Sequence, residues 1–201
     1  FDKTKSLFGS SFHTYLVHDA NDYLNNAEVR LFLKNLKDTN QIEKIGVSVY
    51  EESEIRAIIE YGEVDILQLP INILDHRLIK SGILKTLKKN NIELHARSIF
   101  LQGLFFMKSK DIKKEFPTSV HSIEILNQVA KENDLEMHEL ALLFVYSLYE
   151  LDKIIIGVNS KQQLVDNVKI LSKEYKYSIT EEILEKVNFI DEMVLNPKRW
   201  Q

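Results

Sequence analysis

Short apolar runs alternate with longer amphipathic segments along this chain. The runs have the length of buried strands and are rich in β-branched side chains, which favour strands over helices. They are, in chain order, Tyr15-Leu16-Val17, Ile45-Gly46-Val47-Ser48-Val49, Ile66-Leu67-Gln68-Leu69, Ile92-Glu93-Leu94-His95-Ala96 and Ile154-Ile155-Ile156-Gly157-Val158. We therefore predict five strands.

The segments between these runs carry helical spacing. In the first of them, Leu24, Ala27 and Leu31 recur at a period close to that of one helix face. The predicted helices cover 24–37, 52–61, 78–87, 118–132, 137–150, 160–174 and 180–194, and 99–117 is predicted as a loop with a short charged helix. Because strands and helices alternate, we predict an α/β fold with right-handed crossovers and a parallel sheet.

The composition is that of an ordinary globular protein. The 201 residues are 44% hydrophobic and 28% charged, which fits a single domain over residues 1–201. Thirty acidic and 26 basic residues give a net charge of −4, and this balance disfavours nucleic acid as a partner. No uncharged apolar stretch approaches the roughly 18 residues of a membrane span, so we expect no membrane partner either.

The chain contains no cysteine, which excludes disulfide frameworks, thiolate metal sites and cysteine nucleophiles. We therefore expect a reducing compartment, namely the cytoplasm. The remaining candidate metal ligands do not have the clustered spacing of a zinc site, so we expect no metal. The histidines considered in this way are His13, His76, His95, His121 and His138.

Two architectures fit five strand–helix units with two additional helices before the last strand. One is a doubly wound sheet, and the other is part of an eight-stranded barrel. No G-x-G-x-x-G or G-x-x-x-x-G-K motif follows any predicted strand, so the common nucleotide-binding motifs of wound sheets are absent. This favours a parallel (β/α)8 barrel, here incomplete, with about five strands and extra helices.

Polar side chains end or follow the predicted strands, at the edge where parallel barrels gather their chemistry. They include His18, Ser48, Gln68 and Arg97. Simple solvent exposure is the alternative explanation, because strand ends usually meet water and polar loops. The pattern alone leaves both explanations open.

The loop after the last predicted strand has the features of an anion site. Gly157 permits close backbone approach, and Ser160 is placed to cap the following helix. The free N–H groups and the positive dipole end of a helix attract phosphate. Many helices begin with serine without binding a phosphate, so this signal is not specific by itself.

Three phenylalanines in the 99–117 loop have two explanations. Phe100, Phe105 and Phe106 either line a substrate pocket or pack the loop onto the barrel. The sequence favours neither.

Six motifs in a fixed order resemble the aldo-keto reductase family along nearly the whole chain. They are Leu16-Val17-His18-Asp19, Lys44-Ile45-Gly46-Val47-Ser48, the segments 65–72, 97–104 and 156–167, and the tail Asn196-Pro197-Lys198-Arg199-Trp200. They look like the fourth to eighth strands of that family, its cofactor-binding helix and its tail. Each motif is weak alone, but six in the correct order are specific.

The resemblance implies a (β/α)8 barrel that transfers a hydride between NAD or NADP and a small carbonyl or alcohol substrate. It identifies His18 with the catalytic residue that orients and polarises the carbonyl. It implies carboxamide contacts from Ser48 and Gln68, a nicotinamide-ring contact from Arg97, pyrophosphate contacts from Ser98 and Phe100, ribose and phosphate contacts from Asn159, Ser160 and Gln163, and adenine contacts from Asp166 and Asn167.

The sequence departs from the family pattern at several of these positions. Val49 replaces an asparagine that contacts the carboxamide, and Ile99 replaces a proline. Gly157 and Gln163 stand where strongly NADP-selective members have basic side chains, although Lys161 could partly compensate. The choice between NADP and NAD is therefore open.

The largest departure concerns the first three strands of the family, which carry a catalytic aspartate, tyrosine and lysine. None of the three has a counterpart here, and the chain begins with Phe1, so we expect it to be the C-terminal part of an aldo-keto reductase and inactive as it stands. The alternative is a naturally short, non-catalytic paralogue that acts as a binding or regulatory subunit. Because five strands cannot close an eight-stranded barrel, we also expect self-association through open sheet edges.

Overall fold

Five parallel strands form the sheet in the computed structural model, which describes residues 1–9, 11–189 and 191–200. The strands are β1 (Phe12–Val17), β2 (Ile42–Ser48), β3 (Ile66–Pro70), β4 (Glu93–Arg97) and β5 (Lys153–Ile154). Their order in the sheet is β1-β2-β3-β4-β5, and over the described residues the sheet does not close on itself. The predicted α/β class and the number of strands are therefore confirmed.

Twelve α-helices connect or follow the strands within the described residues. They are α1 (Asp2–Phe8), α2 (Ala20–Leu24), α3 (Ala27–Asp38), α4 (Glu52–Tyr61), α5 (Arg77–Lys80), α6 (Ile83–Lys89), α7 (Ser109–Glu115), α8 (Val120–Glu132), α9 (Met137–Tyr146), α10 (Lys161–Ile170), α11 (Tyr177–Lys186) and α12 (Glu192–Leu195). Short 3₁₀ segments cover Leu101–Phe106, Pro117–Ser119 and Pro197–Arg199. None of the helices in the described ranges is long and apolar enough to cross a membrane.

The chain divides into two compact units, and the boundary between them falls at β3 and β4. The first unit comprises Phe1–Leu69 and Ile83–His95, and the second comprises Pro70–Gly82 and Ala96–Gln201.

In the first unit, the parallel register determines which residues of neighbouring strands lie side by side. Leu16 of β1 pairs with Gly46 of β2, and a Cβ atom at Gly46 would lie 3.1 Å from Leu16 Cδ1. Glycine therefore makes room for the leucine side chain. Two residues further along, Ser48 pairs with Gln68 of β3.

The core of the second unit is built around α9, whose residues from Leu140 to Val145 are all buried. The imidazole of His76 stacks on the ring of Phe144, with 5.5 Å between centroids. Its Nε2 donates a hydrogen bond to the carbonyl oxygen of Ile73 at 2.7 Å. Burial disfavours the charged imidazolium and lowers the pKa of His76 to about 4. The second unit therefore contains a histidine that stays neutral at physiological pH.

Two of the predicted helices are broken in the structure, and a third begins late. The helix predicted over 180–194 divides into α11, which ends at Lys186, and α12, which begins at Glu192. The helix predicted over 24–37 begins only at Ala27, as α3, because the Asn26 side chain accepts hydrogen bonds from the backbone N–H groups of Glu28 and Val29 and so caps this helix. Leu31 was expected on the buried face, but it is 65% exposed. The helix predicted over 78–87 is interrupted at Gly82, whose φ of 73° lies in the left-handed region.

The last predicted strand was wrong in its length. We expected a strand over 154–158, but β5 contains only Lys153 and Ile154. The backbone N–H of Ile155 still donates to the carbonyl oxygen of Ala96 at 2.8 Å, and the chain then turns toward α10. An apolar run becomes a strand only where neighbouring strands hydrogen-bond to its backbone. In the strand order, β5 has only β4 beside it.

Candidate functional site

A cavity of about 660 Å³ lies in the second unit. The segment after β4 and the segment after β5 supply most of its walls, and α9 and α10 supply the remainder. Its lining residues are Ser98, Ile99, Phe100, Leu101, Gln102, Gly103, Phe106, His138, Ile155, Ile156, Gly157, Asn159, Gln163, Asp166 and Asn167. Carboxyl ends of parallel strands are where barrels and open α/β sheets bind their ligands.

The segment after β4 has an unusual backbone. Ser98, Leu101 and Gln102 have φ values of 60°, 43° and 53°, all in the left-handed region that side chains other than glycine rarely adopt. Leu101 is fully buried, and the Arg97 guanidinium donates a hydrogen bond to Ser98 Oγ at 3.1 Å. These contacts hold the strained conformation in place, as is common where backbone surrounds a ligand.

The start of α10 carries a reciprocal pair of hydrogen bonds. Ser160 Oγ accepts from the backbone N–H of Gln163 at 3.2 Å, and the Gln163 side-chain oxygen accepts from the backbone N–H of Asn159 at 2.7 Å. Ser160 is the N-cap residue of α10, as the sequence predicted. The positive end of this ten-residue helix therefore faces the loop that lines the cavity, where it favours an anion.

Acidic and amide side chains line the cavity farther along α10. Asp166 and Asn167 lie in its second turn, and Asp166 Oδ1 accepts a hydrogen bond from Gln162 Nε2 at 2.8 Å. Among the described residues that line the cavity, Asp166 is the only Asp, Glu, Lys or Arg. The carboxylate of Asp166 therefore repels additional negative charge in this part of the cavity.

The structure gathers six of the predicted cofactor-binding residues around this one cavity. They are Ser98, Phe100, Asn159, Gln163, Asp166 and Asn167. Two further predicted residues lie beside the lining: Arg97 binds Ser98, and Ser160 caps α10. Residues separated by about sixty positions in sequence therefore meet at one place.

The remaining predicted residues belong to the first unit. Ser48 is buried at the end of β2 and pairs with the half-buried Gln68 of β3. The backbone N–H of Val49 donates to the Gln68 carbonyl oxygen at 3.0 Å, which fixes the strand ends relative to each other. His18 follows β1 and is exposed. The register thus places Ser48 and Gln68 side by side, as two contacts to one group require.

Several lining residues were not predicted from the sequence. The clearest is His138, which lies in the first turn of α9 and stacks on Phe106 with 5.1 Å between ring centroids. Glu136 and Glu139 form a capping box at this helix start, and that motif is readable in the sequence as Glu136-Met137-His138-Glu139. This motif would have placed His138 at the start of a helix, but it does not indicate that this helix start lies at the cavity.

The loop phenylalanines divide between the two explanations considered above. Phe100 and Phe106 line the cavity, whereas Phe105 is only 5% exposed and packs into the core of its unit. In the part of the chain that the structure describes, no group of three or more histidine, aspartate or glutamate side chains is arranged to hold a metal ion.

Comparison with known proteins bears on the family and the fold of this chain. A curated relative, the NADH-specific methylglyoxal reductase of Escherichia coli (strain K12), is 25% identical over 160 residues. The match covers 73% of this chain and 49% of the relative, so the chain spans about half the length of that protein.

Solved structures share the fold. The holo form of an aldo-keto reductase from Bacillus halodurans superposes with a TM-score of 0.75 at 16% identity, covering 95% of this chain and 67% of that one. The glycerol dehydrogenase of Gluconobacter oxydans gives a TM-score of 0.68 at 18% identity, covering 95% and 64%. The prediction of an incomplete parallel (β/α)8 barrel is therefore confirmed. Because residues 4–188 also match the Aldo/keto reductase family, the chain belongs to that family.

Proposed function

We propose that the cavity binds the adenosine diphosphate half of a nicotinamide dinucleotide. The observation that carries this proposal is the meeting of six predicted cofactor residues, from the segments after β4 and β5, around one cavity. A volume of about 660 Å³ lies within the usual range of roughly 300–1,000 Å³ for small-molecule sites. The donor groups fit as well, because the α10 start favours phosphate and Asn167 supplies an amide for a base edge.

The proposed activity of the complete protein is hydride transfer between this dinucleotide and a small carbonyl or alcohol. When bound, the dinucleotide supplies or accepts the hydride. In this proposal Ser48 and Gln68 bind the nicotinamide carboxamide, and the Arg97 guanidinium plane contacts the ring. His18 is the catalytic residue that orients the substrate carbonyl and donates a hydrogen bond to its oxygen. The expectation that the chain is inactive by itself stays a prediction.

Oxidoreductase function is favoured over the non-catalytic subunit considered as its alternative. The chain belongs to a family of reductases, and the curated relative named above is itself a reductase. The paired positions of Ser48 and Gln68 also support a retained nicotinamide site. A binding or regulatory subunit has no comparable support.

NADH is the proposed cofactor, rather than NADPH. The cavity has the Asp166 carboxylate among its lining residues, and that charge repels the extra phosphate of NADPH. Lys161, the first residue of α10, is exposed and therefore attracts phosphate only weakly through water. The curated relative is named as NADH-specific, which points the same way.

The proposal also covers self-association and the cellular location of the protein. The chain self-associates through its outer strands, because β1 and β5 each have one neighbour in the strand order. Ile155 and Val158, beside β5, are 41% and 38% exposed and add apolar surface near that edge. The proposed location is the cytoplasm, which suits a chain without cysteine.

Nucleotide titration tests the proposal. The chain is titrated with NADH and NADPH while the fluorescence of the reduced nicotinamide is followed. We expect saturable binding of NADH, at least about tenfold tighter than that of NADPH because of the charge at Asp166. Asp166→Asn should reduce this preference, and Ser160→Ala and Asn167→Ala should each weaken the binding of NADH.

Ser172→Ala is the matched control for Ser160→Ala. Ser172 follows the opposite end of α10, and its Oγ donates to the Lys169 carbonyl oxygen at 2.7 Å. NADH affinity should not change in this variant. Equal affinities in the wild type, Ser160→Ala and Asn167→Ala would place the dinucleotide elsewhere.

A further inference from the structure

One wall of the cavity is aromatic. The ring of Phe106 contacts the edge of Phe100, with 5.3 Å between centroids, and stacks on the imidazole of His138 at 5.1 Å and 27° between planes. All three residues line the cavity. Neither Phe106 nor His138 occupies a position that the family resemblance identifies as cofactor-binding.

The exposure of Phe106 is unusual for its place in the chain. Its side chain is 58% exposed, although its neighbours Leu104 and Phe105 are 0% and 5% exposed. The 3₁₀ segment Leu101–Phe106 is thus anchored in the core and presents one large apolar ring to the cavity. An exposed aromatic ring on an anchored segment is typical of a binding surface.

His138 is carried by a helix that is fixed by packing and by its cap. His138 lies in the first turn of α9, whose following residues Leu140 to Val145 are all buried. The capping box formed by Glu136 and Glu139 fixes the start of this helix. The backbone segments that carry the stacked pair are therefore in place before a ligand enters, which lowers the entropy cost of binding.

The polar groups of the same cavity define the ligand that an aromatic wall would suit. Asp166 and Asn167 supply hydrogen-bonding atoms from α10, which packs against α9. A flat heteroaromatic base satisfies both features, because its faces stack and its edges carry donors and acceptors. A phosphate or a simple sugar would leave the aromatic wall exposed to water.

We propose that Phe106 and His138 form a stacking wall for the adenine base of the bound nucleotide. This inference rests on the proposed function and adds two binding residues to it. The base extends the stack of the two rings, while the start of α10 binds the phosphates. The wall contributes affinity for the base and none for the phosphates alone.

A comparison of two ligands isolates the wall. The chain is titrated with ADP-ribose, which has the base, and with inorganic pyrophosphate, which does not. Phe106→Ala and His138→Ala should each weaken ADP-ribose binding by about 5- to 100-fold, the range expected for one base on aromatic side chains. Pyrophosphate affinity should be unchanged in both variants. His138→Phe should retain the wild-type affinity for ADP-ribose, since it keeps the stack and removes the imidazole nitrogens.

NMR spectra and a matched control complete the test. Ring currents from the wall should shift the adenine H2 and H8 resonances of bound ADP-ribose upfield in the wild type, and by less in Phe106→Ala. His121→Ala is the matched control, because His121 is exposed on α8 and does not line the cavity. Thermal unfolding verifies that each variant is folded.

The outcomes separate this inference from the proposed function. If the wild type binds ADP-ribose and both alanine variants bind it equally well, the stacking wall is refuted while the nucleotide site stands. If ADP-ribose affinity and pyrophosphate affinity fall together, Phe106 and His138 act on the cavity as a whole and the inference is again refuted. If the wild type binds neither NADH nor ADP-ribose, the proposed function itself fails.

Discussion

Helices α9 and α10 have ten residues each and pack against one another, yet they differ sharply in burial. In α9 the six residues from Leu140 to Val145 are buried in succession. In α10 Ile170 is the buried residue, while Leu164 and Val168 are 49% and 61% exposed. Both helices nevertheless contribute side chains to the same cavity.

The difference separates a helix that core packing fixes in place from a helix that lies mostly against solvent. Because α9 is surrounded by apolar side chains, packing determines its position and makes it stable. An isolated helix as short as α10 is marginal in water, so α10 depends on its cap and on its few packing contacts. Binding elements are commonly drawn from such low-stability parts of a protein.

The largest effect is expected from a deletion in α9. Phe144→Ala removes a fully buried ring that stacks on His76, and should lower the free energy of unfolding by about 3–5 kcal/mol. Urea denaturation monitored by circular dichroism measures this loss. Val168→Ala in α10 is the control, and should change the free energy by no more than about 0.5 kcal/mol. Similar losses in the two variants would mean that α10 is packed as tightly as α9.

The next effect concerns pH and the histidine that packs on α9. The pKa of His76 is about 4 in the folded chain because burial disfavours the imidazolium, whereas the unfolded chain has the ordinary value near 6.5. The unfolded state therefore binds more protons between these values. The contribution to stability is complete above about pH 6.5 and is lost as pH falls toward 4, a change of about 3 kcal/mol.

Urea denaturation at pH 7 and pH 4.5 measures this dependence. His76→Gln should show a smaller loss of stability between the two values, whatever its stability at pH 7. His121→Gln, which alters an exposed histidine, should retain the wild-type dependence. An unchanged dependence in His76→Gln would show that other groups cause the acid destabilisation.

A moderate effect is expected at the start of α10. Ser160→Ala removes the oxygen that accepts the Gln163 N–H, and should lower the stability of this helix by about 1 kcal/mol. Native-state hydrogen exchange should then show faster exchange at the amides of α10 and unchanged rates in α9. Uniform acceleration across the second unit would contradict the separate stabilities of the two helices.

The smallest effect on folding is expected from charge on the exposed side of α10. Leu164→Lys and Val168→Lys should leave the free energy of unfolding within about 0.5 kcal/mol of the wild type. They should nevertheless reduce self-association in light scattering, if the apolar surface around α10 and β5 takes part in it. Val168→Ile, which keeps the apolar character, is the control for size. A wild-type chain that is monomeric at all concentrations would contradict the proposed self-association.

Much of the fold was predictable because burial produces periodic patterns. All five strands were located from apolar runs, and α4 was predicted with its observed bounds. One error arose where a local hydrogen bond competed with periodicity, because the Asn26 cap delays the start of a predicted helix to Ala27. Other errors arose at the left-handed Gly82 and at the short strand β5. Leu31 is exposed although its spacing suggested burial.

The candidate site was predictable where local sequence, and not tertiary packing, determines the position of a residue. Ser160 was recognised from the sequence as the cap of one short helix, and the family resemblance identified Gln163, Asp166 and Asn167 within that helix. His138 was not predictable in this way, since only the packing of α9 brings it to Phe106. Backbone strain at Ser98 and Leu101 was equally invisible, because neither residue type signals a left-handed conformation.

Every described residue that lines the cavity falls between Ser98 and Asn167, in a single continuous stretch of the chain. Synthesis on the ribosome therefore produces this stretch as one block, after β1 to β4. Recombination between related genes could exchange that block intact, with its helix cap, its strained turn and its aromatic rings together. A crossover placed before Ser98 would keep the cavity as one heritable module, while the strands that precede it vary independently.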